Sequence, residues 1–458
     1  MNIYKCFVSF ELQVDVVMSE LVKNLVSPDS VALIGVSRNT GQGSLNLLDV
    51  LVRFRYKGRI YPVNPSADRI MGMPVYKNVC ELPESPDLAV IMVNRKLVPG
   101  IVYDCAEKGI KTAIIISDGF AESDTFGKRL QEDLLKAVRE TNIRLLGPNS
   151  MGVVNAYAPF TSSFVDLPRH RVPIAFIGQS GLFVQGFSGL EIGKGIDIGN
   201  GCDIGFSELL EGFIDDADIR VIAVHVEELK DIKSFSEVMK RRGYEKPVIV
   251  YKTGRSGQAR EAALAHSGSL AGNYDIYKAF FKSLNLIVCE STEELADTTR
   301  ILSRISIPKG RKVGIITPTG GGGIACIDAC DQYGFKVARL SESSVKKILE
   351  IYPPYYRPNN PVDIMSAAFR HGYGRVYRHV LETMAADEAV DILFCINGMP
   401  TLKTIRSIIS EHNISKPVLS WVIGSYNQEE VDALTDGIPL AAFPTPERAF
   451  RALDLCCR

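Results

Sequence analysis

The feature that most constrains this chain is an alternation repeated along nearly its whole length. Short, apolar, β-branched runs are separated by longer stretches with helical spacing. Runs of that kind read as strands of a parallel sheet covered on both faces, with helices as the crossovers. Val31–Gly35, Arg59–Val63, Leu88–Val93, Thr112–Ser117 and Arg144–Leu146 have this character, and helical stretches Leu45–Phe54, Val98–Lys108 and Gly127–Thr141 lie between them. They predict a first unit over residues 28–155, behind a leader of residues 1–27. A polar connection carrying Pro159, Pro168 and Pro173 follows, and the pattern then restarts. Strands Ile174–Gly178, Ile196–Gly199, Ile219–Val226 and Val248–Tyr251, with helices Phe206–Ile214, Ile232–Arg241 and Thr292–Ser303, predict a second unit over 156–306. A linker at Ile307–Gly310 precedes a third unit, 307–458, which opens with strand Lys312–Thr317, the glycine run Gly320–Gly323 and helix Ile324–Tyr333. The predicted fold class is α/β, with three consecutive doubly wound domains.

Composition excludes several functions. The 458 residues include 52 basic and 53 acidic side chains, a net charge of −1, with no basic stripe of the kind nucleic acid needs. No apolar run approaches the roughly 18–20 residues of a membrane span, and the N-terminus has no cleavable signal pattern. The ten cysteines are scattered through apolar segments, which fits reduced thiols and a cytoplasmic protein. Cys326 and Cys330 share a helix face, but no second ligand pair lies near, so they read as small buried residues and no metal site is predicted.

Four turns stand out as places for chemistry. The first runs from Gly35 through Ser37, Arg38, Thr40 and Gly41 to Gly43, between a strand and a helix, where backbone N–H groups can meet a phosphate. Its spacing is not the dinucleotide fingerprint. The next strand ends Tyr61-Pro62-Val63-Asn64-Pro65 with no acid for a ribose, which counts against NAD. Arg38, Lys57 and Arg59 are expected to place positive charge near this loop. The second turn is Gln179-Ser180-Gly181, a small polar strand-to-helix turn that offers N–H groups to a phosphoryl group. The third, with Gly321, Gly322 and Gly323, follows the same logic in the third unit. The fourth is the small-residue stretch Ala262–Gly272 around His266. An imidazole nitrogen attacks phosphorus at neutral pH, and Glu227, at a strand end, is the candidate to hold its other nitrogen. A solvated strand end is the alternative for Glu227, and a plain surface histidine the alternative for His266.

Together these stretches resemble the α subunit of the ADP-forming acetyl-CoA (acyl-CoA) synthetases, relatives of succinyl-CoA synthetase. The resemblance runs from about Leu25 to the C-terminus. It is carried by Ser30–Ser37, Ile60–Pro65, Gly119-Phe120-Ala121-Glu122, Gly147-Pro148-Asn149, Gln179-Ser180-Gly181, His266–Gly272 and Asn360-Pro361-Val362-Asp363. Three departures occur. Ser150-Met151 follows Gly147-Pro148-Asn149 where the family has Cys-Leu or Cys-Pro. Ile198–Asp203 is an altered Gly-Asn-x-x-Asp run. Gly320–Gly323 replaces an Asn-Ala-Gly-Gly lead.

The resemblance implies a Rossmann-like CoA-binding domain followed by two flavodoxin-like ligase domains. It implies that acyl-CoA and phosphate give an acyl phosphate, that the phosphoryl group passes to His266, and that it then reaches ADP. Glu227 falls on the carboxylate that supports the histidine, and Gln179, Ser180 and Gly181 on the phosphoryl cradle. Ser37, Val63, Asn64 and Pro65 fall on the CoA face, and Ser117, Asp118 and Gly119 on the loop below it. No ATP-grasp pattern occurs in the chain, so a separate ATP-grasp β subunit is implied, in an α2β2 assembly, with Mg²⁺ and ADP or ATP on that partner. The alternative is a non-catalytic acyl-CoA-binding or regulatory module. Retention of His266 speaks against it.

Overall fold

The computed structural model describes residues 19–41, 45–164, 171–181, 189–259, 273–357, 359–412 and 414–458. The chain divides into two compact units, residues 1–295 and 296–458.

The first unit contains two sheets. One is five-stranded and wholly parallel, in the order β2-β1-β5-β6-β7: β1 Ser30–Ile34, β2 Arg59–Val63, β5 Leu88–Ile91, β6 Thr112–Ile115 and β7 Arg144–Leu146. A two-stranded hairpin, β3 Arg69–Ile70 and β4 Met73–Pro74, follows β2. Side chains alternate across this sheet, as a period of two requires. Val31, Leu33, Leu88 and Val90 join one buried cluster, and Ala32, Ile34, Ala89 and Ile91 another, under helices Val98–Glu107 and Thr125–Thr141.

The first of those clusters continues into the second sheet. Helix Glu20–Val26 is one of the wedges between them: Val22, Leu25 and Val26 are fully buried, and Asn155 Nδ2 donates to the Val26 carbonyl at 2.9 Å. The second sheet has the order β14-β13-β12-β10-β11-β8-β9. Its parallel strands are β10 Ile174–Gly178, β11 Lys194–Asp197, β12 Val221–Val226, β13 Val248–Lys252 and β14 Ile287–Cys289. β8 Val153–Asn155 and β9 Phe160–Thr161 add an antiparallel edge. Sequence reading expected only a polar connection near β9, because two-residue strands carry too short a pattern to read.

The second unit carries a third sheet in the order β16-β15-β18-β19-β20: β15 Lys312–Thr317, β16 Lys336–Val337, β18 Ile392–Gly398, β19 Val418–Ile423 and β20 Leu440–Phe443. β17 Val362–Asp363 also pairs with β15, beyond β16. Asn360 fills the gap between β16 and β17. Its Oδ1 accepts from Ile315 N at 2.8 Å, and its Nδ2 donates to the carbonyls of Val313 at 2.7 Å and Ala338 at 2.9 Å. Helix Thr292–Arg304 straddles the division between the units. Its C-terminal part is held in the second by Asp297, which accepts from Arg448 at 2.7 and 2.8 Å. The helix after β15 starts at Gly320 rather than Ile324, so the glycines form its first turn.

Leaving out the antiparallel edge strands and the two-residue β17, all three sheets share one order, second-first-third-fourth-fifth. Each therefore has a topological switch point beside its first strand, which is where open α/β sheets bind ligands. Three of the four turns singled out from the sequence follow those three first strands.

Candidate active site

At the first switch point, Gly35 leaves β1 with φ +89, and a Cβ there would stand 2.1 Å from the Met92 carbonyl oxygen. Only glycine fits that crossing over β5. Asn46 caps helix Leu47–Arg53 and donates from Nδ2 to the carbonyls of Ser37 at 2.9 Å and Asn39 at 3.0 Å. Asn64 Nδ2 donates to the Val36 carbonyl at 2.8 Å, so the side chain that replaces the ribose-binding acid ties the two strand-end loops together. Ser117 Oγ donates to the Val93 carbonyl at 2.7 Å and accepts from Val93 N, doing the same for β5 and β6. Val63 is buried under these loops, while Arg38, Thr40, Gly41, Pro65 and Asp118 are exposed around the crevice. The Gly119 carbonyl accepts from the Arg95 guanidinium, and Gly119 N donates to Glu122 Oε1 at 2.7 Å.

One expectation fails here. Arg59 pairs in parallel register with Ser30, at the beginning of β1, and makes an ion pair with Glu84 at 2.6 Å. Lys57 precedes it in the chain. Both therefore belong to the end of the sheet opposite the Gly35 loop, about 13 Å away at roughly 3.3 Å per residue. Of the three basic residues expected near the loop, Arg38 alone is there.

At the second switch point, β10 ends at Gly178, in register with Asp197, the last residue of β11. Gln179 follows β10. Its Oε1 accepts from Glu227 N at 2.7 Å and from Glu228 N at 2.9 Å, so its amide fixes the backbone that leaves β12. Glu227 is half-buried. Gly181 sits against Met151, where a Cβ would stand 1.9 Å from Met151 Cγ. Gln179, Ser180, Gly181 and Glu227 line one cavity of about 320 Å³ with Asp197, Met151, Asn149 and Asn200, and with Glu122 and Lys128 from the first sheet's segments. Asn200 Nδ2 donates to Glu122 Oε2 at 2.5 Å and Gln131 Oε1 at 3.1 Å, closing the seam between the two halves. His266 lies outside the described residues, as do residues 42–44 of the first loop.

Asp197 was missed by sequence reading. It is 2 % exposed, and burial, with Glu227 adding to it, pushes its carboxyl up to about 7. Its oxygens accept from Met151 N at 2.6 Å and Gly199 N at 3.1 Å. The available signal was an acid ending a buried strand beside the Gln179 turn. His225 is also buried, on β12, bonded to Thr253 Oγ1 at 3.0 Å, and burial with the Lys252 charge lowers it to about 3. It is a neutral core residue.

The third switch point belongs to the second unit. Gly321, Gly322 and Gly323 form the first turn of helix Gly320–Gln332. A Cβ on Gly321 would meet nothing within 4 Å, whereas one on Gly323 would press on Pro361 at 3.1 Å. Cys326 and Cys330 are buried on the same helix. Among the described residues the nine cysteines are free, no group of three or more His, Cys, Asp or Glu is arranged for a metal, and no helix is long and apolar enough to cross a membrane.

Comparison with known proteins agrees with this geometry. Residues 29–156 match the family described as CoA binding domain, and residues 171–302 the succinyl-CoA ligase like flavodoxin domain. Together they define the class, a CoA-dependent acid–thiol ligase. The chain is 35% identical, over 94% of its length and 96% of the other's, to the acetate–CoA ligase [ADP-forming] I subunit alpha of Pyrococcus furiosus. It is 34% identical to the acetate–CoA ligase [ADP-forming] II of Archaeoglobus fulgidus, covering 57% of that longer protein. A solved structure of the dinucleotide forming acetyl-coenzyme A synthetase 1 of Ca. Korarchaeum cryptofilum, in complex with phosphate and ADP, superposes with a TM-score of 0.84 at 30% identity, over 95% of this chain and 96% of that one. This chain belongs to the family of ADP-forming acetate–CoA ligase α subunits, the family its motifs resemble.

Proposed function

We propose that this chain is the α subunit of an ADP-forming acyl-CoA ligase that converts a small acyl-CoA, phosphate and ADP to the acid, CoA and ATP, with acetate as the first acid to test. A phosphate oxygen attacks the thioester carbonyl, the C–S bond breaks, and the sulfur leaves as CoA, taking a proton. A His266 nitrogen then attacks the phosphorus of the acyl phosphate, the P–O bond breaks, and the carboxylate departs. The phosphoryl group passes from His266 to the terminal phosphate of ADP on an ATP-grasp module, where Mg²⁺ accompanies the nucleotide.

One observation carries this reading: Gln179, Ser180, Gly181 and Glu227 converge at the switch point of the second sheet, on a cavity shared with the first. Gln179 holds the Glu227 backbone in place. The crevice at the first switch point is assigned to CoA, with Arg38 beside its phosphates and the loops of Ser37, Asn64 and Ser117 braced by their own side chains. The ATP-grasp module is assigned to a separate β subunit, because the chain matches nearly the full length of a relative named as an α subunit and 57% of one not named so. The assembly is α2β2 and cytoplasmic on this reading.

The test is phosphohistidine formation. The chain is incubated with acetyl phosphate and Mg²⁺, without CoA, and analysed by mass spectrometry under alkaline conditions. Phosphate on His266 is expected, none in His266→Ala, and a rate lower by about 10²–10⁴-fold in Glu227→Gln. Full ligase activity of His266→Ala with the β subunit present would overturn the assignment.

A further inference from the structure

The cavity at the second switch point poses an electrostatic problem. Four of its lining side chains are acidic, Glu122, Asp197, Glu227 and Glu228, against Lys128 and Lys230. A dianionic phosphoryl group that enters such a space meets more like charge than opposite charge. Glu122 is engaged by Gly119 N, Phe120 N and Asn200, and Glu227 and Glu228 leave the strand on a backbone held by Gln179. Asp197 is the carboxyl set deepest. Among the described residues no lysine, arginine or histidine pairs with it, and two backbone N–H groups are its only hydrogen-bond partners.

We propose that Asp197 meets the phosphate or phosphoryl group in this cavity as a hydrogen-bond donor, a further binding residue of the reaction assigned above. The inference rests on that reading of the site. An oxygen that carries the proton still accepts one N–H with its remaining lone pairs, so Met151 and Gly199 stay satisfied while the O–H turns to the ligand. A buried carboxyl with no cation paired to it among the described residues keeps its proton more cheaply than its charge. The consequence is one repelling oxygen fewer and one donor more, beside the carboxylate of Glu227. No net proton transfer is required.

The groups that face Asp197 have to be considered together. From the segment after β12 come Glu227, Glu228 and Lys230, and from the first sheet's segments Glu122 and Lys128. The 149–151 and 179–181 segments bring no ionisable side chain, and Cys202 and Asp203 follow on its own side. Lys252, which interacts with Glu227 and Glu228, is lowered by burial to about 8 and loses charge at the top of the range. Comparison of variants therefore decides, rather than the wild-type curve alone.

The experiment measures sulfate binding to the full chain by calorimetry from about pH 6 to 8, sulfate remaining a dianion throughout. With a carboxyl near 7 that must be protonated, wild-type affinity falls about tenfold over that range. Asp197→Asn, a neutral donor at every pH, is expected to flatten that dependence to about threefold or less. Asp197→Ser, whose hydroxyl both donates and accepts, gives the same reading should the amide disturb Met151 or Gly199, and melting temperatures identify a disturbed variant. A slope as steep in both variants as in the wild type overturns the proposal. Phosphorylation of His266 by acetyl phosphate is read in parallel. Its absence from the wild type would sink the assigned mechanism, while sulfate binding still judges Asp197.

Discussion

Two buried titratable groups, Asp197 and His225, act on stability in opposite directions over nearly the same pH range. The folded-state carboxyl of Asp197 is raised to about 7 from 3.8, so between those values the unfolded chain binds fewer protons than the folded one. Its contribution is complete at acid pH and is lost as pH rises toward 7. His225 is lowered to about 3 from 6.5, so the unfolded chain binds more protons in that window, and its contribution is complete above 6.5 and lost as pH falls. The wild-type curve sums the two and conceals both. Thermal melts of Asp197→Asn should therefore show stability falling more steeply than wild type as pH drops from about 6.5 to 4, and His225→Gln should show it falling more steeply as pH rises across that interval. Parallel curves for all three proteins would contradict the assignment. At this scale Glu227 and the Gln179 turn were legible, because an acid after an apolar strand and a small polar turn leave a local pattern. The partner of Gln179 was not, since its Oε1 reaches a backbone some fifty positions away.

At the scale of elements, the short pieces carry more than their length implies. Helix Glu20–Val26 buries three apolar side chains, and a Cβ on Gly212 would stand 2.2 Å from Val22 Cγ2, so helix Phe206–Ile214 leaves room for it with a glycine. Full burial of such side chains is worth about 1.5–3 kcal/mol each. Removal of residues 1–27 is expected to lower the melting temperature by about ten degrees or to prevent folding. Asn360 is a second case. Asn360→Ala leaves Ile315 N and the Ala338 carbonyl in a buried strand gap, while the Val313 carbonyl keeps Ala338 N, at roughly 1–3 kcal/mol for each unsatisfied group. It should cost the second unit about 3 kcal/mol or more by denaturant melting, and a loss below 1 kcal/mol would show that water replaces the side chain. Strand and helix positions were readable to within a few residues from β-branched runs and helical spacing. The antiparallel edge β8–β9 was not, because its pairing with β11 is a tertiary choice that the local pattern does not encode.

For the whole molecule, the chemistry is divided between sites that this chain carries and a nucleotide module assigned to a partner. The purified chain, free of any co-purified subunit, should form no ATP from ADP, phosphate and acetyl-CoA, and addition of an ATP-grasp β subunit should restore the reaction. Robust ATP formation by the chain alone would contradict the division. Calorimetry should also show CoA binding and no NAD binding, in keeping with Asn64 at the end of β2. Tight NAD binding without CoA binding would overturn the assignment of the first crevice.

The sequence by itself determined the alternation of strands and helices that builds the three large sheets, the turn after the first strand of each, and the family. Those depend on local periodicity and on motifs whose order along the chain is visible without coordinates. Only the tertiary structure decided that all three sheets share one strand order, that Arg59 lies at the far end of its sheet, and that Asp197 faces the same cavity as Glu227. These are consequences of register and of which strand ends lie side by side. A one-residue pattern cannot report them, because parallel pairing joins residues far apart in the chain. Burial changes a carboxyl's proton affinity only once those neighbours are in place.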